Sequence, residues 1–195
     1  MLEEQHLNSL IETIQMRRSI FPSAFTEESV AMEKIELMLA SANYAPTHRL
    51  TQPWRFKVLR GGALTRLSEA MVQYYLSHTP KEDISEKKLQ KTRKKPLQSS
   101  AVIAICMLRD PAERIPEWEE IAAVACAVQN MWLMANRLGI GGYWSTPSYK
   151  DAVEDLFPMG EREKCLGFFY LGHHDMPPLE AKRSDWRNKV TWIDT

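Results

Sequence analysis

The most informative segment of the chain is Ala45-Pro46-Thr47-His48-Arg49-Leu50-Thr51-Gln52-Pro53-Trp54-Arg55-Phe56. It joins an apolar, helix-like segment to a strand-like run through a loop that is dense in hydrogen-bonding side chains. Proline fixes φ at its own position and pushes the preceding residue toward extended geometry, so Pro46 and Pro53 stiffen the loop near both ends. We expect such a loop to hold polar groups still against a planar ligand.

On either side of this loop, apolar residues recur with helical periodicity. Helices are predicted up to about Met16, from a cap at Thr26 to Ala42, from Leu64 to His78, from Trp118 to Leu138, and from a cap at Ser148 to about Phe157-Pro158. The helix after Trp118 is rich in alanine, which permits close backbone approach, so we expect either a central core helix or a subunit interface. The highly charged segment 81–95 is interpreted as a mobile helical excursion over the surface.

Shorter apolar runs predict the strands. They cover residues 54–60, 101–108 and 165–171, with a candidate last strand at 190–193. The run at 101–108 is continuously apolar, which is typical of a strand covered on both faces. Gly141-Gly142 is predicted to open a glycine-rich turn into a short extended segment. The sequence therefore predicts three to five strands enclosed by helices, in one domain spanning residues 1–195.

Composition and charge argue against several kinds of partner. Lys plus Arg and Asp plus Glu balance at 25 each, so no net field favours nucleic acid or an anionic membrane. The apolar runs are far short of the roughly 20 residues that a membrane helix needs, and the acidic N-terminus lacks the layout of a signal peptide. Cys106, Cys126 and Cys165 sit among apolar neighbours, which favours reduced core cysteines. We expect a soluble, cytoplasmic protein.

Arg17-Arg18-Ser19 stands where the first helix is predicted to end. Two guanidiniums and a hydroxyl suit a phosphate group, because arginine donates hydrogen bonds in a planar fork. Alternatively, the two cations complement the negative end of the helix dipole. His48 has two interpretations as well, as a structural surface residue or as a ligand contact.

Two other polar motifs are assigned no chemistry. The basic residues between 87 and 95 are interpreted as a solvated helix face, because no aromatic residues interleave with them as a nucleic-acid groove requires. His173-His174-Asp175 is interpreted as a loop. Adjacent histidines on a strand cannot both face one metal ion, and no third histidine or cysteine lies nearby.

Taken in order, several motifs resemble the nitroreductase family of FMN-dependent oxidoreductases. The resemblance rests on Arg17-Arg18-Ser19, on Ala45-Pro46 through Gln52-Pro53-Trp54, on Pro116-Glu117-Trp118-Glu119, on Gly141-Gly142-Tyr143-Trp144 and on residues 166–172. It implies an α+β, nitroreductase-like fold with a central, mostly antiparallel sheet enclosed by helices. It also implies an intertwined homodimer with FMN bound at the interface.

The same resemblance implies cofactor-binding roles for particular residues. Arg17, Arg18 and Ser19 contact the FMN phosphate and ribityl chain, and Arg183, next to Lys182, completes the phosphate site. His48 and Gln52 lie in the loop that reaches the cofactor from the other subunit. Tyr44 lines the same pocket, or else packs its own helix. Trp144 packs beside the ring, or is a buried core residue, while Ser145 and Thr146 form hydrogen bonds to the ring. No residue is assigned as catalytic and none as a metal ligand.

Two positions depart from the family pattern. Leu50 stands where many members have asparagine, and Phe21 stands where many have lysine or arginine near the pyrimidine edge of the flavin. A cation there would stabilise the reduced flavin. Its absence predicts a lower reduction potential, unless Arg18 or His48 supplies the charge.

The resemblance implies hydride transfer from NADH or NADPH through FMN to a small, planar, electron-poor acceptor such as a nitroaromatic or a quinone. One alternative is a flavin-binding protein without dinucleotide turnover. Another is reductive dehalogenation or oxygen-dependent flavin chemistry on the same fold.

Overall fold

The computed structural model describes residues 2–152 and 156–194. Its α-helices are α1 (Leu2–Met16), α2 (Met32–Ala42), α3 (Gly62–Ser77), α4 (Glu86–Leu97) and α5 (Glu117–Arg137). Its strands are β1 (Trp54–Leu59), β2 (Ala101–Leu108), β3 (Ile140–Ser145) and β4 (Glu163–His173). Short 3₁₀ helices cover Pro22–Ala24, His48–Leu50, Lys81–Asp83, Ser148–Ala152 and Trp186–Lys189.

The four strands form one antiparallel sheet in the order β1-β2-β4-β3. β1 pairs with β2, with Trp54 opposite Met107, and β3 pairs with β4, with Ile140 opposite His173. Because β1 and β3 each have one neighbouring strand in this order, they are the edge strands. The central strand β2 is buried along nearly its whole length, as its continuous apolar run predicts. The α+β fold with a mostly antiparallel sheet is therefore confirmed.

Helices cover both faces of the sheet because alternate residues of β2 point to opposite sides. Ile103 and Ile105 pack with residues of α2 and α5 in one apolar cluster. Val102 and Ala104 pack with Leu67 and other residues of α3 in a second cluster. Ala123 and Ala127 of α5 are buried in the first cluster, so α5 is a core helix. Burial of each large apolar side chain contributes about 1.5–3 kcal/mol.

The segment before α2 differs from the prediction. Thr26 does not cap a helix, because α2 begins at Met32 after the extended residue Ala31. The backbone N–H of Thr26 donates to His173 O at 2.8 Å, and Phe25 forms a β-bridge with His174. The predicted start was wrong because this segment extends the sheet instead of entering a helix. His173 also ends β4 and does not belong to a loop.

Three other boundaries were predicted incorrectly. Gly141 and Gly142 lie within β3, and the turn is made by Gly139, whose φ is +70°. Residues 190–193 form no strand and are exposed. The helix predicted after Ser148 is a 3₁₀ helix over Ser148–Ala152, and residues 153–155 lie outside the described part of the chain.

Segment 81–95 is helical over much of its length, as predicted, but α4 is docked on α3. The Ser85 side chain caps α4 by accepting from the N–H of Lys88, and Ser68 Oγ of α3 donates to Arg93 O at 2.8 Å. Among the described residues, no helix is long and apolar enough to cross a membrane. Among the described residues, none of the three cysteines forms a disulfide, and Cys106 and Cys165 are buried.

Candidate functional site

Arg17, Arg18 and Ser19 lie beside the edge strand β3. Ser19 forms a parallel β-bridge with Gly142, and the N–H of Ile20 donates to Gly142 O at 3.0 Å. The chain therefore leaves α1 and runs directly along the strand. The Arg17 guanidinium lies 4.3 Å from the centroid of the Trp132 ring. Arg18 Nε donates to the backbone oxygen of Leu179 at 2.8 Å, which joins the C-terminal segment to the same place.

Three guanidiniums, those of Arg17, Arg18 and Arg183, converge here. Burial, followed by the charges of Arg183 and Arg18, lowers the pKa of Arg17. Within residues 2–152 and 156–194, the three arginines form no ion pair, and the buried Nη1 of Arg17 has no hydrogen-bond partner. Like charges held together around an unpaired donor fit an anion, and a phosphate matches the arginine fork.

Two other arginines of the fold, Arg109 and Arg114, have acidic partners. Arg109 bonds the fully buried Glu120, and Arg114 bonds Asp110 through Nε at 2.8 Å. Hydrogen bonding to Arg114 lowers the pKa of Asp110 to about 2. Unlike these two arginines, Arg17, Arg18 and Arg183 have no acidic partner among the described residues, so the cluster suits an anionic ligand.

The double glycine of β3 has a different role from the one predicted. A Cβ on Gly142 would lie 2.3 Å from Cζ of Phe169 and 3.0 Å from Nε1 of Trp132. A Cβ on Gly141 would lie 2.8 Å from Cδ2 of His174. The space that a side chain would need is filled by the chain's own rings. These glycines therefore serve internal packing, whereas the sequence predicted that they open a turn.

Residues 144–146 continue β3 toward α4. Trp144 is partly buried, and its Nε1 is buried without a hydrogen-bond partner in the described chain. Gly167, at φ +141°, allows this approach, because a Cβ there would lie 2.6 Å from Ser145 O and 3.0 Å from Trp144 Nε1. Thr146 is exposed, and Ser145 Oγ accepts a hydrogen bond from Lys95 Nζ at 2.9 Å.

Lys95 was missed by the sequence reasoning. Its Nζ lies 4.4 Å and 4.8 Å from the ring centroids of Tyr170 and Tyr143. Burial, and then the charge of Lys91, lowers the pKa of Lys95 to about 8. The only available signal was its place at the end of a basic helix, directly before Pro96 and a buried strand.

Lys95 also supplies a cation near Phe21, where the family pattern led us to expect one. The Phe21 ring packs against Tyr143 with centroids 4.5 Å apart, and both residues line a cavity that Lys95 shares. Arg18 and His48, which the sequence suggested as alternative sources of this charge, do not line the cavity. Arg18 donates to backbone carbonyls, and His48 bonds Glu119.

Replacing Lys95 with methionine is expected to stabilise the ligand-free protein at neutral pH. Folding lowers the pKa of Lys95 from 10.5 to about 8, so the folded state holds the proton less tightly than the unfolded chain. The resulting loss of folding stability is complete below pH 8 and disappears as the pH rises toward 10.5. In urea denaturation, we expect Lys95→Met to raise the free energy of unfolding by about 1–3 kcal/mol at pH 7 and by much less at pH 10. Equal effects at both pH values, or the same effect from the exposed Lys87→Met, would contradict this explanation.

The loop around His48 is conformationally strained. Arg49, Leu50 and Gln52 have φ values of 50°, 54° and 42°, a region that residues other than glycine rarely adopt. Thr47 Oγ1 stabilises the loop by accepting from the N–H of Gln52 at 3.1 Å. Backbone conformations of this strained kind concentrate at functional sites.

His48 is held by a carboxylate. Its Nδ1 lies 2.6 Å from Glu119 Oε2 at the start of α5, which leaves Nε2 free to face outward. Tyr44, just before the loop, is 85% exposed, so its alternative role in packing α2 is wrong for this chain. Tyr44, His48 and Gln52 therefore belong to a surface that the single chain does not cover.

Within one chain, the loop and the arginine cluster lie far apart. His48 contacts Glu119 and Arg17 contacts Trp132, and these two α5 residues are separated by about 20 Å along the helix axis. The predicted site residues thus fall into two groups. Arg17, Arg18, Ser19 and Arg183 lie near the start of β3, which leads to Trp144, Ser145 and Thr146. Tyr44, His48 and Gln52 lie elsewhere on the surface.

Among the described residues, no group of three or more His, Cys, Asp or Glu side chains is placed to hold a metal ion. The candidate binding features are an arginine cluster, a glycine-containing edge strand with a lysine at its end, and a strained loop. On an α+β fold, these features suit a protein that binds a phosphorylated planar cofactor.

Comparison with known proteins identifies the family. The model of the nitroreductase family matches residues 14–173, and the chain therefore belongs to that family. YfhC of Bacillus subtilis is 30% identical over 97% of both chains. YdjA of Escherichia coli K12 is 28% identical over 89% of this chain and 91% of its own. Both relatives are described as candidate NAD(P)H nitroreductases. The predicted family and the class of oxidoreductases are confirmed.

Solved structures share the fold. A nitroreductase-like family protein from Bacillus cereus superposes with a TM-score of 0.78 at 24% identity, covering 95% of this chain and 96% of its own. The FMN-dependent nitroreductase NfnB from Mycobacterium smegmatis, solved in complex with NADPH, superposes with a TM-score of 0.77 at 18% identity, covering 96% and 99%. The predicted cofactors, FMN and NAD(P)H, are those that appear in the names of these relatives.

Proposed function

We propose that this protein is an FMN-dependent oxidoreductase that passes hydride from NADH or NADPH to a small, planar, electron-poor acceptor such as a nitroaromatic or a quinone. The observation that carries the proposal is the cluster of Arg17, Arg18 and Arg183, which has an unpaired buried donor and no carboxylate among the described residues. When bound, FMN supplies the hydride chemistry, and the protein supplies orientation and electrostatics.

The two ends of the site suit the two ends of the cofactor. Gly142, beside the arginines, and Ser145, beside Lys95, are about 10 Å apart along β3 at 3.3 Å per residue. The arginine end suits the phosphate. The other end offers the Lys95 ammonium and the Ser145 hydroxyl to the polar edge of a ring. We expect the positive charge of Lys95 at this end to stabilise the reduced cofactor and so to raise its reduction potential. This is the opposite of the effect expected from Phe21 alone.

A second copy of the chain would complete the site. A cofactor on the arginine cluster reaches the His48 loop only if that loop comes from a partner, because the two groups are about 20 Å apart within one chain. Large apolar side chains that the single chain leaves exposed support a homodimer. They include Leu7, Leu10, Ile11 and Ile14 of α1, Leu50 in the loop, Trp118 of α5, and Trp192 and Ile193 in the C-terminal segment.

Anaerobic titration of the purified protein tests the proposed function. We expect the protein to carry FMN, and NADH or NADPH to bleach the visible flavin absorbance under argon. A nitroaromatic or quinone should then restore it. FMN that neither nicotinamide bleaches would support the binding-only alternative. Restoration by a halogenated aromatic or by oxygen alone would support the other chemistries. The predicted cytoplasmic location stays a prediction.

A further inference from the structure

One face of α4 lines a cavity that is open to solvent. Lys91, Lys94, Lys95 and Gln98 follow the i, i+3, i+4, i+7 spacing and so share one face of the helix. They line a cavity of about 420 Å³ together with Phe21, Pro22, Ser23 and Tyr143. Lys91 and Lys94 are exposed, as the interpretation of a solvated helix face predicts, whereas Lys95 is partly buried. The aromatic residues beside these lysines come from distant parts of the chain.

The aromatic part of the cavity is a ring pair. Phe21 and Tyr143 pack with centroids 4.5 Å apart and an interplanar angle of 43°. Aromatic rings in this arrangement present apolar surface on which another ring can pack. Tyr143 belongs to β3, so the cavity adjoins the strand on which we place the cofactor ring.

The polar part of the cavity carries uncompensated positive charge. No carboxylate occurs among the described residues that line it, and Lys91, Lys94 and Lys95 form no ion pair with any acidic residue of the described chain. Lys91 is close enough to Lys95 to lower its pKa. An anion in the cavity would relieve this repulsion.

We propose that this cavity selects acceptors that carry an anionic group on an aromatic ring, with an aryl carboxylate held by Lys91 and Lys94 and its ring against Phe21 and Tyr143. The inference rests on the proposed function, because Lys95 and Ser145 join the cavity to β3, where we place the cofactor ring. A volume of about 420 Å³ lies near the lower end of the roughly 300–1,000 Å³ of small-molecule sites. It suits one substituted ring, whereas a dinucleotide would extend beyond it.

A pair of matched acceptors tests the proposal. We compare 4-nitrobenzoate with neutral 4-nitrobenzyl alcohol in the FMN-loaded protein and in Lys91→Gln/Lys94→Gln. The control, Lys87→Gln/Arg93→Gln, removes the same charge from exposed positions of α4 that do not line the cavity. A hydrogen bond to a charged group contributes about 1.5–3 kcal/mol, so we expect kcat/KM for 4-nitrobenzoate to fall about 10- to 100-fold. The neutral acceptor should change by less than about twofold, and the control should change neither.

Three outcomes would overturn the proposal. They are a wild-type preference for the neutral acceptor, an equal loss for both acceptors, and a loss confined to the KM of NADPH, which would assign the lysines to the reductant. Calorimetry with benzoate separates this inference from the proposed function, because it needs no turnover. If the protein reduces neither acceptor, benzoate binding that is lost in Lys91→Gln/Lys94→Gln still supports the cavity. Failure of the wild-type protein to bind benzoate rejects it.

Discussion

Replacing Arg17 and Arg18 with alanine is expected to weaken FMN binding by about a thousandfold while the protein stays folded. Each guanidinium can form charge-assisted hydrogen bonds to the phosphate, and such bonds contribute about 1.5–3 kcal/mol each. Within the described chain, the two side chains have no acidic partner, so their removal leaves no buried carboxylate uncompensated. FMN titration followed by quenching of flavin fluorescence measures the affinity, and circular dichroism checks the fold.

Riboflavin provides the internal control, because it has the ring and ribityl chain but no phosphate. The wild-type protein should bind FMN far more tightly than riboflavin, and the double variant should bind the two about equally. Arg66→Ala removes a positive charge from an exposed site on α3 and should change neither affinity. If Arg17→Ala/Arg18→Ala kept its preference for FMN over riboflavin, the arginine cluster would not be the phosphate site.

A single methyl group at Gly142 is expected to destabilise the protein by about 3 kcal/mol. Its Cβ would lie 2.3 Å from Cζ of Phe169, a ring that is fully buried between the sheet and α5. A buried ring cannot yield without moving its neighbours, and overpacking a dense core costs about 1–3 kcal/mol or more. The clash also lies on the strand that bonds Ile20, so FMN binding should fall together with stability. Urea denaturation of Gly142→Ala measures the first effect.

Gly62→Ala is the matched control. No atom lies within 4 Å of the position that its Cβ would occupy, and alanine is the better helix former in α3. It should leave stability unchanged or raise it slightly. Wild-type stability in Gly142→Ala would mean that the core around Phe169 is looser than the structure indicates.

Local sequence patterns predicted most of the fold. The buried strand β2 and the long helix α5 follow from an unbroken apolar run and from sustained helical periodicity. The errors arose where pairing with a distant segment decides the structure. Thr26 resembles a helix cap, but its N–H is used by His173, which is far away in the sequence. Gly141-Gly142 resembles a turn, but Phe25 and Phe169 occupy the space left by the missing side chains.

The candidate site was predicted in the same uneven way. Arg17-Arg18-Ser19 and the Ala-Pro loop are contiguous motifs, so a family resemblance could find them. Lys95 could not be predicted as a site residue, because its role depends on Ser145 and two tyrosines that folding brings beside it. The bond between Glu119 and His48 likewise joins residues that no local pattern connects.

The central claim is that each FMN is held by the arginine cluster of one chain and the His48 loop of another. Hybrid dimers of Arg17→Ala/Arg18→Ala and His48→Ala/Gln52→Ala, co-expressed with different tags and purified through both, test it by their flavin content. If the site is shared, one of the two sites in each hybrid combines intact arginines with an intact loop. About one FMN per dimer is then expected, although each variant alone binds little. If hybrids carried no more FMN than the parent variants, the two groups would serve one site within a single chain, and the shared site would be rejected.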